Sequence, residues 1–107
     1  MVSEKMQKAL NDQINAELFS SYLYLSMAAY FEAENWTGFA AWMKKQSGEE
    51  YEHAMKFFHY LTEVGKKVNL ESLEKPKTEW KSSQEAFEEA LKHEIYITNR
   101  INDLVAL

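Results

Sequence analysis

The chain contains no cysteine. Disulfide bridges, thiolate metal sites and a cysteine nucleophile are therefore excluded. Glycine and proline are nearly as scarce, 3 and 1 among 107 residues. So few interruptions favour long helices over many short strands joined by turns. Basic residues are outnumbered, 12 Lys and Arg against 17 Asp and Glu, for a formal net charge of −5. Nucleic-acid binding needs a basic patch, so no nucleic-acid partner is expected. No uncharged apolar run approaches the roughly 18–20 residues of a membrane span, so no membrane partner is expected either. The polar start Met1-Val2-Ser3-Glu4-Lys5 has no apolar signal region. With the absence of cysteine, that fits a cytoplasmic location. What is present is 46% hydrophobic residues with 14% aromatic, the make-up of one globular domain spanning 1–107 with a modest core.

The pattern predicts an all-α fold. Ser3 fits a helix N-cap with Glu4 in the first turn, and nothing breaks the helix until about Asn35. One face of it reads Met6, Leu10, Ile14, Glu17, Ser21, Tyr24, Ala28, Phe31. After the polar break Asn35-Trp36-Thr37, with Thr37 as a possible cap, a second helix is predicted over 38–64 and is stopped by Gly65. Its face reads Phe39, Met43, Gln46, Glu50, His53, Phe57, Leu61, Val64. The short connection makes these two helices antiparallel neighbours. Residues 66–81 read as a long lysine-rich connector with Val68, Leu70 and Leu73 clipped to the bundle surface, long enough for the next helix to run parallel to the second. Ser82-Ser83-Gln84-Glu85 is a capping box that starts a third helix. The third face reads Phe87, Leu91, Glu94, Ile97, Ile101 and Leu104 or Val105.

Each of the three faces carries an acid at its centre: Glu17, Glu50 and Glu94. The second adds His53, three residues after Glu50 and on the same side of the helix. Taken singly, each has a bland reading as a solvated glutamate or a hydrogen-bonded core histidine, and Tyr24 reads as a packed aromatic. Together they are harder to dismiss. An unpaired buried carboxylate costs several kcal/mol or is neutralised by a raised pKa. No Lys or Arg lies on these faces to compensate, so the natural counter-charge is a metal. Carboxylates with one imidazole suit iron or manganese and, in a different geometry, zinc. Glu50 is placed to bridge two ions. Ferritin-like di-metal bundles use a Glu from each of two helices and a Glu-x-x-His from each of two others. The chain supplies three quarters of that set.

Longer segments carry a resemblance. Leu10-Asn11-Asp12-Gln13-Ile14-Asn15-Ala16-Glu17, Ser21-Tyr22-Leu23-Tyr24-Leu25-Ser26-Met27, Gly38-Phe39-Ala40-Ala41-Trp42-Met43 and Glu49-Glu50-Tyr51-Glu52-His53-Ala54-Met55-Lys56 resemble the prokaryotic non-haem ferritins, as do Glu79-Trp80 and Leu91-Lys92-His93-Glu94. The resemblance implies a ferritin-like four-helix-bundle architecture and an iron-storage function with ferroxidase activity. It implies that Glu17 and His53 bind a first iron, that Glu50 bridges and that Glu94 holds a second. Tyr24 matches the tyrosine beside that centre, and Glu49 a ligand of a third iron site. The implied partners are Fe(II), dioxygen or peroxide, and further copies of the chain in a 24-subunit cage. Haem is not expected, because Tyr51 stands where the haem-binding relatives have methionine. A rubrerythrin-type oxidoreductase is an alternative, without that group's cysteine-rich domain. A ferritin-derived assembly module without competent catalysis is another.

Family members run to about half as long again. The chain is thus expected to supply two long helices, the crossover and part of the third helix. Glu17 and Glu50 are 33 residues apart, and the same step beyond Glu94 passes Leu107. An ordered fragment of a longer protein, a truncated chain pairing with a second copy as a dimer, and a partner chain supplying the remainder all fit.

Overall fold

In the computed structural model, which describes residues 2–107, three α-helices follow one another: α1 (Glu4–Ala33), α2 (Thr37–Glu63) and α3 (Ser83–Val105). They form a rod of 49 × 21 × 21 Å. α1 is the common partner. It packs along α2 on one flank and along α3 on the other, while α2 and α3 do not pack along each other. Near its C-terminus Phe31 packs edge-on to Phe39 at the start of α2 and at a tilt against Phe87 at the start of α3. Further back along α1, Ser21 meets Ser47 and Ser20 meets His93. Both neighbours are therefore antiparallel to α1, and α2 and α3 run parallel, as the crossover predicts.

The helix ends follow from local chemistry. The Ser3 hydroxyl accepts from the Met6 amide and caps α1. Asn35 takes a left-handed φ of 64°, which asparagine tolerates better than most residues, and turns the chain into α2. Thr37 is the first residue of α2, not its cap; the N-cap position is Trp36, which makes no capping bond. Gly65, at φ 74°, closes α2, with Lys66 N–H donating back to the Leu61 carbonyl. Ser82 accepts from Glu85 N–H and starts α3, but the Glu85 carboxylate turns to Lys77, so only half of the predicted capping box forms.

The core is in two parts. One gathers Tyr24, Met27, Phe31, Ala40, Met43, Trp80, Ala86 and Ala90. The other gathers Val2, Leu10, Ile14, Ala54 and Leu61. Between them lies a layer of buried polar groups: Gln13, Glu17, Ser20, Ser47 and Glu50. The apolar parts hold the helices together, and the polar layer is where they were predicted to carry acids.

Two predicted faces are rotated. On α2 the buried line is Ala40, Met43, Ser47, Glu50, Ala54, Leu61, so Phe39 and Val64 lie exposed beside it. On α3 Ala86, Ala90 and Ile97 are buried, while Leu91 is 64% exposed and Val105 stands in solvent. In each helix small residues line the contact, where they let backbones approach. The larger neighbours are displaced to the flank.

The connector lies along α1 on a ladder of amides. Asn11 Nδ2 donates to the Lys67 carbonyl, and Asn11 Oδ1 accepts from Asn69 N–H. One turn on, Asn15 Nδ2 donates to the Asn69 carbonyl, and Asn15 Oδ1 accepts from Glu71 N–H. Four helical residues rise about 6 Å and two extended residues about 6.6 Å, so an i, i+4 asparagine pair matches alternate residues of an extended strand. Val68 tucks against the second core part, while Leu70 and Leu73 are exposed rather than clipped down. Further along, Ser26 Oγ donates to the Lys77 carbonyl, and Trp80 is buried with its indole N–H on Glu89. Replacing Asn11 and Asn15 together by alanine removes four bonds to the connector. Each is worth about 1 kcal/mol net. The double variant is expected to be cut by trypsin in 66–81 several-fold faster than wild type, read as fragment mass against time; equal rates would show that the ladder does not hold the connector.

Candidate metal centre

The polar layer owes its shape to the register between α1 and α2. Ser21 Oγ donates to the Ser47 carbonyl at 2.8 Å, and Ser47 Oγ donates to the Ser21 carbonyl at 2.7 Å. Ser21 lies one turn after Glu17, and Ser47 one turn before Glu50. This reciprocal bond therefore brings the two glutamates level. Glu17 is fully buried and Glu50 is 3% exposed. His53 lies one turn beyond Glu50 on the open side of the bundle, its side chain 45% exposed although the pattern predicts it inside.

Three atoms converge here without partners. Glu17 Oε2, Glu50 Oε2 and His53 Nδ1 are buried and make no hydrogen bond. Nδ1 is 3.8 Å from each of the two oxygens. That is too long for a hydrogen bond. It is the spacing of ligands to a shared ion, because two atoms each about 2.1 Å from one metal stand roughly 3–4 Å apart. Among the described residues, Glu17, Glu50 and His53 are the group of acids and histidines whose ligand atoms lie within 4.8 Å of one another. Glu17 is aimed by Gln13, whose Nε2 donates to Oε1 at 2.9 Å and leaves Oε2 facing the cluster. The hard oxygen and imidazole donors fit a divalent iron, manganese or zinc ion.

The other predicted residues stand around this group. Glu94 on α3 is half-buried and accepts from the Tyr24 hydroxyl at 2.6 Å, outside the tight cluster. Its negative charge still reaches Glu50 and Tyr24. Tyr24 is buried beneath it, and burial followed by the Glu94 bond pushes its phenol far above the usual range. Glu49 is half-buried next to Glu50, outside the cluster, and adds to the negative potential there. Gln13, Ser20, Ser47 and His93 complete the surroundings and were not singled out from the sequence. For Gln13 the i, i+4 spacing to Glu17 is a readable signal. For the others, polar identity on a buried line is the only hint. Burial lowers the pKa of His93, against the opposing pull of Glu94 and Glu17, and favours its neutral form.

Burial, then the neighbouring Glu17 carboxylate, and then the charges of Glu94 and Glu49, raise the Glu50 pKa to about 9 from an ordinary 4.5. Between those values the unfolded chain releases the Glu50 proton while the folded chain keeps it, so this group makes stability fall as pH rises through that window. The metal-free protein is expected to lose denaturation midpoint from pH 5 to pH 9, and Glu50→Gln to flatten the trend. Binding of Zn(II) at pH 7 is expected to release the Glu50 proton, seen calorimetrically as a dependence of heat on buffer. A flat stability profile in wild type would contradict the assignment.

Residues 7–107 match the ferritin-like domain that defines the ferritin family. The bacterial non-heme ferritin of Bacteroides fragilis strain 638R is 44% identical over 105 residues, which cover 98% of this chain and 66% of that protein. The bacterial non-heme ferritin of Escherichia coli O6:H1 is 38% identical over 104 residues, covering 97% of this chain and 63% of that protein. Among solved structures, an open pore ferritin from the hyperthermophilic archaeon Archaeoglobus fulgidus superposes with a TM-score of 0.95 at 50% identity, over 98% of this chain and 64% of that one. The chain thus spans a little under two thirds of the length of these relatives. By a match that runs nearly from end to end of its own sequence, and by helices that superpose on a ferritin subunit, the chain belongs to the ferritin family.

Proposed function

We propose that residues 1–107 form one ferritin-like unit whose centre binds Fe(II) as substrate, oxidises it to Fe(III) and passes it to storage. The observation that carries this reading is the convergence of three buried, unpartnered ligand atoms from Glu17, Glu50 and His53. Without a cation, that arrangement leaves three ligand atoms buried with no hydrogen-bond partner. With one, every orphaned atom gains a partner.

In this reading Glu17 and His53 hold the first ion and Glu50 bridges to a second, which Glu94 binds from α3. Two ferrous ions give up two electrons together, as many as dioxygen needs to become hydrogen peroxide or as peroxide needs to become water. The protein's part is to bring the ions together and to supply negative charge that favours the ferric state. Tyr24 holds Glu94 through its hydroxyl, and Gln13 holds Glu17. Glu49 is positioned for a further ion at the edge of the centre. Iron is thus the only metal this reading calls for, and haem has no role in it.

A homo-oligomeric shell in the cytoplasm is part of the same proposal. Family membership supports it, and so do large apolar side chains in solvent: Tyr22 and Leu25, one turn apart on α1, are each about half exposed. Among the described residues no helix is long and apolar enough to cross a membrane.

Stopped-flow absorbance after mixing Fe(II) with aerobic protein tests the reading. Glu50→Ala removes the bridge and is expected to slow the fast phase by about 100-fold or more, with His53→Ala slowing it by about 10–100-fold, in the range of lost metal-site contacts. Unchanged rates in Glu50→Ala would refute the bridging role.

A further inference from the structure

Glu94 sits on the least anchored helix. α3 is held at its start by Phe87, among Phe31, Phe39 and Trp42, and by the Trp80–Glu89 bond. Toward its end it is held by Ile97 and Leu104. It does not pack along α2. Between those ends, and among the described residues, two hydrogen bonds join α3 to α1: His93 to Ser20, and Glu94 to Tyr24.

The first of these is built into the core. Ser20 is fully buried, and its hydroxyl donates to the Ala16 carbonyl at 2.9 Å. That commits its only proton, so the 2.7 Å contact between Ser20 Oγ and His93 Nε2 is donated by the ring. The ring therefore carries a proton on Nε2, which satisfies both groups. The same ring lies edge-on to Tyr24, with centroids 5.7 Å apart and planes at 87°. His93 thus touches the tyrosine whose hydroxyl holds the neighbouring glutamate. Consecutive helical residues differ by about 100° and 1.5 Å, so fixing His93 against Ser20 sets the bearing and height of Glu94.

We infer that Ser20 and His93 form a hydrogen-bonded clamp between α1 and α3 that places Glu94 against Tyr24 and over the metal centre, making both of them positioning residues for the second ion. The inference rests on the reading of Glu94 as a ligand. It extends that reading to two residues that touch no metal.

Two measurements test it. The first is metal-free: proton NMR of the Tyr24 hydroxyl, whose exchange is slowed while it is bonded to Glu94. The second is calorimetric binding of Mn(II), with Glu94→Ala identifying the ion that depends on Glu94. In Ser20→Ala and His93→Ala the hydroxyl resonance is expected to vanish. The Glu94-dependent ion is expected to bind at least about tenfold more weakly, while the ion at Glu17, Glu50 and His53 keeps its affinity. His93→Gln, which can still donate to Ser20, is expected to restore both. Persistence of the hydroxyl resonance in Ser20→Ala and His93→Ala overturns the clamp. A wild type with no Glu94-dependent ion refutes Glu94 as a ligand, and the metal-free resonance separates that failure from failure of the clamp.

Discussion

Two carboxylates, Glu17 and Glu50, lie side by side in the protein interior with one oxygen each unpartnered. Most other features of the structure respond to that constraint. A core with unneutralised like charges is unstable, and in the metal-free state the strain is relieved by keeping Glu50 protonated well above its ordinary range. A bound cation relieves it differently, by giving each oxygen and His53 Nδ1 a partner. Stability and metal binding are thereby linked, since metal binding stabilises the state that binds it and displaces a proton as it does so.

The placement of the acids depends on α1. It supplies Glu17 and Tyr24, bonds reciprocally to α2 through Ser21 and Ser47, meets α3 at Ser20, and carries the asparagine ladder that docks the connector. The apolar parts at either end of the polar layer supply cohesion, and the hydrogen bonds in between set register. A one-residue slip of α2 against α1 would turn Glu50 through about 100°. The Ser21–Ser47 lock, a turn away from both glutamates, opposes that slip.

Much of this was legible in the residues. Helix limits followed from Ser3, Gly65 and Ser82, because caps and left-handed stops are local chemistry that distant contacts do not override. Glu17 and Glu50 stood out because charge on an apolar line is anomalous wherever it occurs. The rotation of α2 and α3 was less legible. A reading that follows bulky residues selects Phe39 and Leu91, whereas close helix contact selects Ala40, Ser47, Ala54, Ala86 and Ala90. Small residues carry weak hydrophobic signal and strong geometric consequence. The same rotation leaves His53 at the edge of the layer, its ring half in solvent and its Nδ1 turned inward. The His93–Ser20 and Asn11–Asn69 bonds join residues 73 and 58 apart, and no local pattern announces such pairs.

We propose that Glu17, Glu50 and His53 bind one metal ion between them. Anomalous diffraction from crystals of the protein soaked in Mn(II) tests it most directly. A peak is expected about 2 Å from Glu17 Oε2, Glu50 Oε2 and His53 Nδ1 together. Anomalous peaks confined to exposed acids, with the three atoms still unbridged, would contradict it.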